Sequence, residues 1–308
     1  MTPAGHLNIG PVRFAMRTEA GGSVGYSDPA YGGFFLEAAG RIVPVSRDPG
    51  SALIELPVEI VRRAVAVPAG APLWQAGGHW AVWEDGADLV FHVGLHVPEA
   101  MRYACRVARD LSRAELAVHP AAWPADGMLA APLRYPLDQI LSWGLLSRVG
   151  GALLHAAVAV KDGRGYVFTG RSGAGKSTIS GLLHAEGWRI LNDDRVVVFR
   201  RGGEWRVAGT PWHGSGRFAE AAEAPLAGIY FLRQAAECRL EPMSAAQARL
   251  ALLDVAAVPW FEDSWAQGIL DGLDRLTREV EIARFHFTKT ADAVRALTQM
   301  RAGEAVPA

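Results

Sequence analysis

A glycine-rich stretch between a strand pattern and a helical pattern carries the strongest chemical signal in this sequence. Residues 170–177 fit the pattern G-x-x-x-x-G-K-[ST], and in order they are Gly170, Arg171, Ser172, Gly173, Ala174, Gly175, Lys176 and Ser177. Glycines let successive backbone N–H groups turn toward phosphate oxygens, and the helix that follows adds its positive end. The stretch is predicted to bind a nucleoside triphosphate; an ordinary glycine-rich turn is the alternative.

Individual roles follow from this chemistry. Lys176 is expected to reach the β- and γ-phosphates, and Ser177 to offer its hydroxyl to Mg²⁺. Thr178 extends the nucleotide-binding set into the first helical turn. Because only three of the 31 basic residues are lysines, a lysine at this position is a specific choice. The predicted cofactors are ATP and Mg²⁺.

Two adjacent carboxylates follow the next strand pattern. Asp193 and Asp194 come 17 and 18 residues after Lys176, and Asn192 joins them to the strand-like residues 188–191. A carboxylate at a strand end beside a phosphate loop can bind Mg²⁺ through water or accept a proton from an attacking hydroxyl. The alternative is a solvated Asn-Asp-Asp turn.

These motifs together resemble a known family. The segment Leu154-His155-Ala156, the glycine-rich loop and Asn192-Asp193-Asp194 are similar to the C-terminal catalytic domain of HPr kinase/phosphorylase. The approach Tyr135-Pro136-Leu137-Asp138, which leads to Gly151 and Leu154-His155-Ala156, resembles still more the HPr-kinase-related proteins of lasso-peptide and other peptide-modification clusters. ATP-dependent phosphoenolpyruvate carboxykinase has a related core but is much longer. The resemblance covers roughly residues 134 to 300.

The resemblance implies a fold and a set of roles. The expected fold is α/β, a P-loop kinase core of the HPr kinase and phosphoenolpyruvate carboxykinase type with a mixed sheet. Asp193 is expected to accept the proton of the substrate hydroxyl, while Ser177 and Asp194 bind Mg²⁺. His155 is expected to lie close to the base and tune it; by itself it is also typical of a core histidine on a buried strand.

One departure from the family bears on the direction of the reaction. The family has a Glu-containing E-I-R-G-x-G signature after the double Asp, whereas residues 209–217 keep glycines but have no Glu. Forward transfer is therefore expected, and reversal with HPr as substrate is not. His213 and Arg217 are candidates for contact with substrate or phosphate, with an incidental surface loop as the alternative.

Amino-acid composition and the length of the apolar stretches divide the chain into two predicted domains. Residues 1–133 are rich in Gly, Pro and short strand patterns, and they predict a smaller β-rich domain for substrate recognition or assembly. Residues 134–308 form the predicted kinase domain. Within the first part, residues 21–33 contain many glycines and predict a mobile loop. Strand patterns at 79–83 and 89–93 predict a hairpin.

The leading hypothesis is an ATP- and Mg²⁺-dependent kinase acting on a hydroxyl of a peptide, protein or small molecule. The alternatives are a nucleotide-dependent regulatory ATPase and a bifunctional HPr kinase/phosphorylase. A net charge of −1 argues against nucleic acid as a partner, and the sequence has no long apolar run to span a membrane. With two distant cysteines and no charged-then-apolar leader, a cytoplasmic location is expected. Homo-oligomer formation is left open.

Overall fold

Contacts divide the chain into two units, which are described separately. The computed structural model describes residues 4–19, 22–37, 53–64 and 66–302. The first unit comprises Met1–Leu145 with Pro259–Ala266, and the second comprises Leu146–Val258 with Gln267–Ala308. The division at 133/134 expected from the sequence precedes these boundaries. The predicted division follows the change in composition, which occurs before the first long helix, whereas the structural boundary falls within that helix.

The first unit is built mainly from strands. Its nine-stranded sheet has the order β4-β1-β2-β5-β10-β9-β8-β7-β6, and a separate parallel pair joins β3 to β11. Strand β5 is parallel to both of its neighbours, and the remaining pairs are antiparallel. The strands are β1 Gly5–Ile9, β2 Val12–Thr18, β3 Ser23–Gly25, β4 Phe35–Glu37, β5 Ile54–Arg62, β6 Trp74–Ala76, β7 Trp80–Asp85, β8 Asp88–Val93, β9 Tyr103–Ala108, β10 Ala114–Val118 and β11 Met128–Ala130.

The predicted hairpin is present, with a tighter turn than expected. Strands β7 and β8 pair from Trp80↔Val93 to Asp85↔Asp88, so only two residues connect them. Gly86 lies in this turn with φ 63, a left-handed conformation that glycine adopts without strain.

The prediction of a mobile loop at 21–33 is wrong for the described residues of that stretch. Residues 23–25 form β3, and residues 29–31 form a 3₁₀ turn in which Ala30 and Tyr31 are buried. The Tyr31 hydroxyl donates a hydrogen bond of 2.6 Å to the buried carboxylate of Asp138. Glycine content reflects local backbone freedom, and it does not register a tertiary contact of this kind.

The second unit combines strands and helices. Helix α1, Leu137–Ser147, begins in the first unit and ends in the second, and it has three turns rather than the four expected. The strands are β12 Ala152–Lys161, β13 Arg164–Thr169, β14 Arg189–Asn192, β15 Arg195–Arg201, β16 Glu204–Ala208, β17 Glu223–Gln234, β18 Arg239–Pro242 and β19 Ile282–Phe287. The other helices are α2 Lys176–Ala185, α3 Ala245–Leu253, α4 Asp263–Glu279 and α5 Asp292–Ala302. None of the helices within the described ranges combines the length and apolarity needed to cross a membrane.

Two long strands organise this unit. Strand β12 pairs through its first residues with β15 and through its later residues with β13 and β14. Strand β17 pairs first with β16 and then with β13 and β19. The sheet is mixed, because β13, β17 and β19 are parallel while the other pairs are antiparallel. Helices α2 and α5 cover one face with a core that includes Phe168, Ile179, Tyr230, Phe285 and Leu297.

Candidate functional site

The glycine-rich loop leads from β13 into α2, and its backbone needs glycine at three places. Gly170 has φ 150, Gly173 has φ 80 and Gly175 has φ 108, all in the region that side chains rarely adopt. A Cβ on Gly175 would lie 2.7 Å from the ring of Phe287, whereas one on Gly173 would meet nothing within 4 Å. The centre of the loop therefore has free space beside it, while its end packs against the core.

The start of α2 is open to an anion. Gly175 is the N-cap, and no side chain donates or accepts a capping hydrogen bond there. The N–H groups of the first turn are therefore available to an anion at the positive end of the helix. The Lys176 ammonium donates to the Gly170 carbonyl at 3.1 Å and so lies across the loop. Ser177 is exposed, and Thr178 is half-buried. Both the open cap and the lysine fit the chemistry of a phosphate site.

The arginine of the loop points away from this centre. Arg171 is 89% exposed and forms an ion pair of 3.3 Å with Asp254 after α3. Ser172 and Gly173 are exposed too, and Ala174 is half-buried, with its N–H bonded to the Arg171 carbonyl. The loop itself is anchored by Gln234, whose side-chain amide donates to the Gly173 carbonyl at 3.0 Å.

His155 and Asp194 form a pair beside the loop. The His155 Nε2 lies 3.0 Å from Asp194 Oδ1, and the Arg195 guanidinium binds the other carboxylate oxygen. The hydrogen bond from His155 is the main cause that holds the pKa of Asp194 below its usual 3.8; burial opposes it, and the charges of Arg195 and Lys176 add to it. Asp194 is therefore an anion at neutral pH.

Lys176 belongs to the same site. Burial lowers the pKa of its ammonium, and the negative charge of Asp194 opposes that effect. Strand β13 ends at Thr169, whose hydroxyl donates to the His155 carbonyl at 2.8 Å, and this bond fixes the start of the loop to the strand that carries His155. The structure thus brings Lys176, His155 and Asp194 together.

Asp193 is placed differently from its neighbour. Its side chain is 3% exposed, and its two carboxylate oxygens accept hydrogen bonds from the N–H groups of Gly214 at 2.8 Å and Gly216 at 2.6 Å. A Cβ on Gly216 would come within 2.6 Å of the carboxylate. Glycine is therefore required for this close approach, and the buried Asp193 carboxylate holds the 213–217 loop.

Asn192 stabilises the turn in which the two aspartates point to different partners. It is fully buried, and its side-chain oxygen accepts hydrogen bonds from the N–H groups of Asp194 and Arg195, each at 2.8 Å. Its amide donates to the Thr210 carbonyl at 2.8 Å. Asparagine commonly closes such turns with its own side chain. Asn192 was not predicted to be a site residue, although its position immediately before the double Asp is the signal from which a structural role could have been inferred.

The 213–217 loop lies against the two aspartates. A Cβ on Gly214 would be 3.0 Å from Asp193 Oδ2 and 3.1 Å from Asp194 Cβ. His213 is half-buried, with its Nδ1 2.9 Å from the Gly214 carbonyl, and Arg217 is exposed with φ 57. The loop, rather than either of these two side chains, makes the contacts with the aspartates.

The oxygen donors at this site are those that Mg²⁺ prefers. Ser177 offers a hydroxyl and Asp194 a carboxylate, and hard oxygen ligands suit this ion. No group of three or more His, Cys, Asp or Glu residues that could hold a metal is found in the part of the chain that the structure describes.

Comparisons with known proteins place the motif-bearing region in context. A family model described as "SynChlorMet cassette protein ScmC" matches residues 141–285, which is less than half of the chain but includes the glycine-rich loop and both aspartates. A solved structure, the Hpr(Ser) kinase/phosphatase from Coxiella burnetii, is 15% identical, covering 49% of this chain and 97% of that chain, with a TM-score of 0.30. No curated protein matches the chain. A TM-score this low does not identify a function.

Proposed function

We propose that this protein is a kinase that transfers the γ-phosphoryl group of ATP to a hydroxyl of a peptide, protein or small molecule. The observation that carries the proposal is the meeting of Lys176 with the His155–Asp194 pair at the open N-terminus of α2. Phosphoryl transfer needs a cradle for the donor phosphates and a proton acceptor at the incoming oxygen, and this site provides groups for both.

On the donor side, the glycine-rich loop and the first turn of α2 would hold the triphosphate. The charge of Lys176 would face the β- and γ-phosphates, where negative charge develops during transfer. Ser177 and Asp194 would hold Mg²⁺, which neutralises phosphate charge when bound. The free space beside Gly173 is consistent with close approach of a phosphate to the loop backbone.

On the acceptor side, the His155–Asp194 pair would take the proton. Since Asp194 Oδ1 accepts a hydrogen bond from His155 Nε2, the Nδ1 atom of the half-exposed imidazole remains as the basic nitrogen. As the acceptor oxygen bonds to the γ-phosphorus, its proton passes to His155 Nδ1. The bond from the γ-phosphorus to its bridging oxygen breaks, and ADP leaves.

This assignment gives Asp193 a different role from the one predicted for it. Because both of its oxygens accept loop N–H groups and the side chain is buried, Asp193 would position the 213–217 loop beside Asp194. It would then support the acceptor site without contacting the acceptor's proton.

The proposal is tested with γ-labelled ATP, Mg²⁺ and candidate hydroxyl acceptors, chiefly peptides encoded beside the gene. Label should appear on an acceptor, Lys176→Ala should abolish the transfer, and Lys161→Ala, at the far end of β12, should not. ATP hydrolysis that no acceptor accelerates would instead favour a regulatory ATPase, and it would overturn the kinase proposal.

A further inference from the structure

Two rows of side chains cross the strands next to the phosphate loop. Pairing in register places Arg233, His286 and Arg239 side by side on β17, β19 and β18. The adjacent row contains Arg284 and Glu241. Paired residues and residues two apart share a face of a sheet, so all five lie on one face. It is the face opposite the core formed with α2 and α5, to which Phe285 and Phe287 contribute.

These side chains form a fixed network with excess positive charge. The carboxylate of Glu241 lies 2.7 Å from Arg284, 2.9 Å from His286 and 3.1 Å from Arg239. These three hydrogen bonds lower the pKa of Glu241 to about 2, so it stays ionised. One carboxylate therefore holds two arginines in place, and neutralises only one of them.

Arg233 adds a cation without a partner. It is exposed and forms no ion pair with any residue in the described ranges of the chain. Thr169, the last residue before the phosphate loop, pairs with Phe231, so Arg233 lies just past the level where the loop begins. The next residue, Gln234, contacts the loop directly through the Gly173 carbonyl. The network and Arg233 thus border the loop on the side away from β12, which carries His155.

We propose that Arg233, Arg239 and Arg284 form a binding site for acidic side chains of a peptide acceptor. This inference rests on the proposed kinase function and specifies its substrate class. The row spans three strands, or about 10 Å, which suits several carboxylates on an extended peptide better than a single phosphate group. The triphosphate already has the loop and Lys176.

The sheet geometry also sets a minimum spacing between the acceptor hydroxyl and the acidic residues of the peptide. Strand β17 is two positions from β12, and β18 is four positions from it, or roughly 10 and 19 Å. An extended peptide covers about 3.3 Å per residue. Ala157 pairs with Phe168 of the core, so His155 lies on the face that α2 covers, and a peptide that reaches both His155 and the arginines must pass around the strand ends. The acidic residues that reach Arg233 and Arg239 would therefore lie at least about three to six residues from a hydroxyl beside His155.

Binding is measured by the fluorescence anisotropy of a labelled hexaglutamate peptide with the full chain, with ADP and Mg²⁺ saturating the phosphate loop. Wild-type protein should bind this peptide, and added salt should weaken the binding. Arg233→Gln should weaken it about fivefold, which is the upper range for one exposed charge pair, and Arg233→Lys should restore most of the loss. The matched control is Arg278→Gln, another exposed arginine, located on α4.

The outcomes separate this proposal from the kinase proposal, since binding of hexaglutamate requires no transfer. Equal affinity of wild type and Arg233→Gln for hexaglutamate would overturn the proposed site for acidic side chains. Reduced affinity for ATP in Arg233→Gln, with peptide binding unchanged, would assign the arginines to the nucleotide and overturn it as well. If an acceptor peptide is phosphorylated, replacing its glutamates with glutamine should raise KM and leave kcat unchanged.

Discussion

The substitution Asp193→Asn distinguishes a loop anchor from a catalytic base. The wild-type carboxylate accepts two N–H groups, at 2.8 and 2.6 Å, in a site that is 3% exposed. An asparagine keeps one acceptor oxygen but turns its amide toward the second N–H. One bond to a charged group is lost, and a buried donor is left without an acceptor. A hydrogen bond to a charged group is worth about 1.5–3 kcal/mol, so we expect a loss of about 2–4 kcal/mol in stability.

The measurement is urea unfolding at neutral pH, followed by tryptophan fluorescence. Asp194→Asn is the matched control, because its side chain is partly exposed and its loss should cost only about 1 kcal/mol. Nucleotide affinity should be kept in Asp193→Asn, since the loop at 170–177 does not contact this carboxylate through any described hydrogen bond. Transfer should fall roughly a hundredfold or more, because the 213–217 loop would shift beside Asp194.

The result that would refute this reasoning is specific. If Asp193→Asn unfolds within about 0.5 kcal/mol of the wild type, the carboxylate does not anchor the loop. If transfer is nevertheless lost while nucleotide binding is kept, Asp193 would be the proton acceptor, as the family resemblance implies.

Three further predictions concern the same site. Lys176→Ala should weaken ATP binding or transition-state stabilisation by a few kcal/mol without unfolding the protein, and unchanged ATP affinity and turnover would contradict the phosphate-loop assignment. The folded pKa of Asp194 is below 3.8, so its carboxylate stabilises the fold above that pH and loses this contribution as the pH falls through the folded pKa. The difference in unfolding free energy between wild type and Asp194→Asn, measured in urea, should therefore shrink between about pH 5 and pH 2. A difference that grows over this range would contradict the prediction. Finally, phosphorylated acceptor with enzyme, Mg²⁺ and excess phosphate should yield no pyrophosphate, because the 209–217 segment has no Glu; pyrophosphate formed at near the forward rate would show that this Glu does not decide direction.

The sequence was informative where the relevant residues are contiguous. The loop at 170–177, the strand before it and the helix after it depend on local backbone preferences, and the structure has β13 ending at Thr169 and α2 beginning at Lys176. The strand before the double Asp was predicted on the same grounds. Strands β15 and β16 were not predicted, although β15 follows the double Asp directly and β16 follows β15 after a two-residue turn.

The sequence could not separate the two aspartates. Asp193 and Asp194 are adjacent and chemically identical, and their difference arises because one contacts N–H groups more than twenty residues later in the chain while the other contacts His155. Such contacts depend on tertiary structure. The same holds for Arg233 and Arg284, which are far apart in the chain and lie on one face only because strand register places them there.

The groups proposed for catalysis come from one uninterrupted segment, residues 155–194. After it, β15 and β16 are joined by a turn at Gly202 and Gly203, both exposed and both with positive φ. New chain ends at this turn would leave the segment intact, and exposed turns of this kind tolerate such cuts best. An insertion at residues 202–203 would therefore lie outside the segment that carries the proposed catalytic groups. A domain or tag could be attached there without moving the atoms that react.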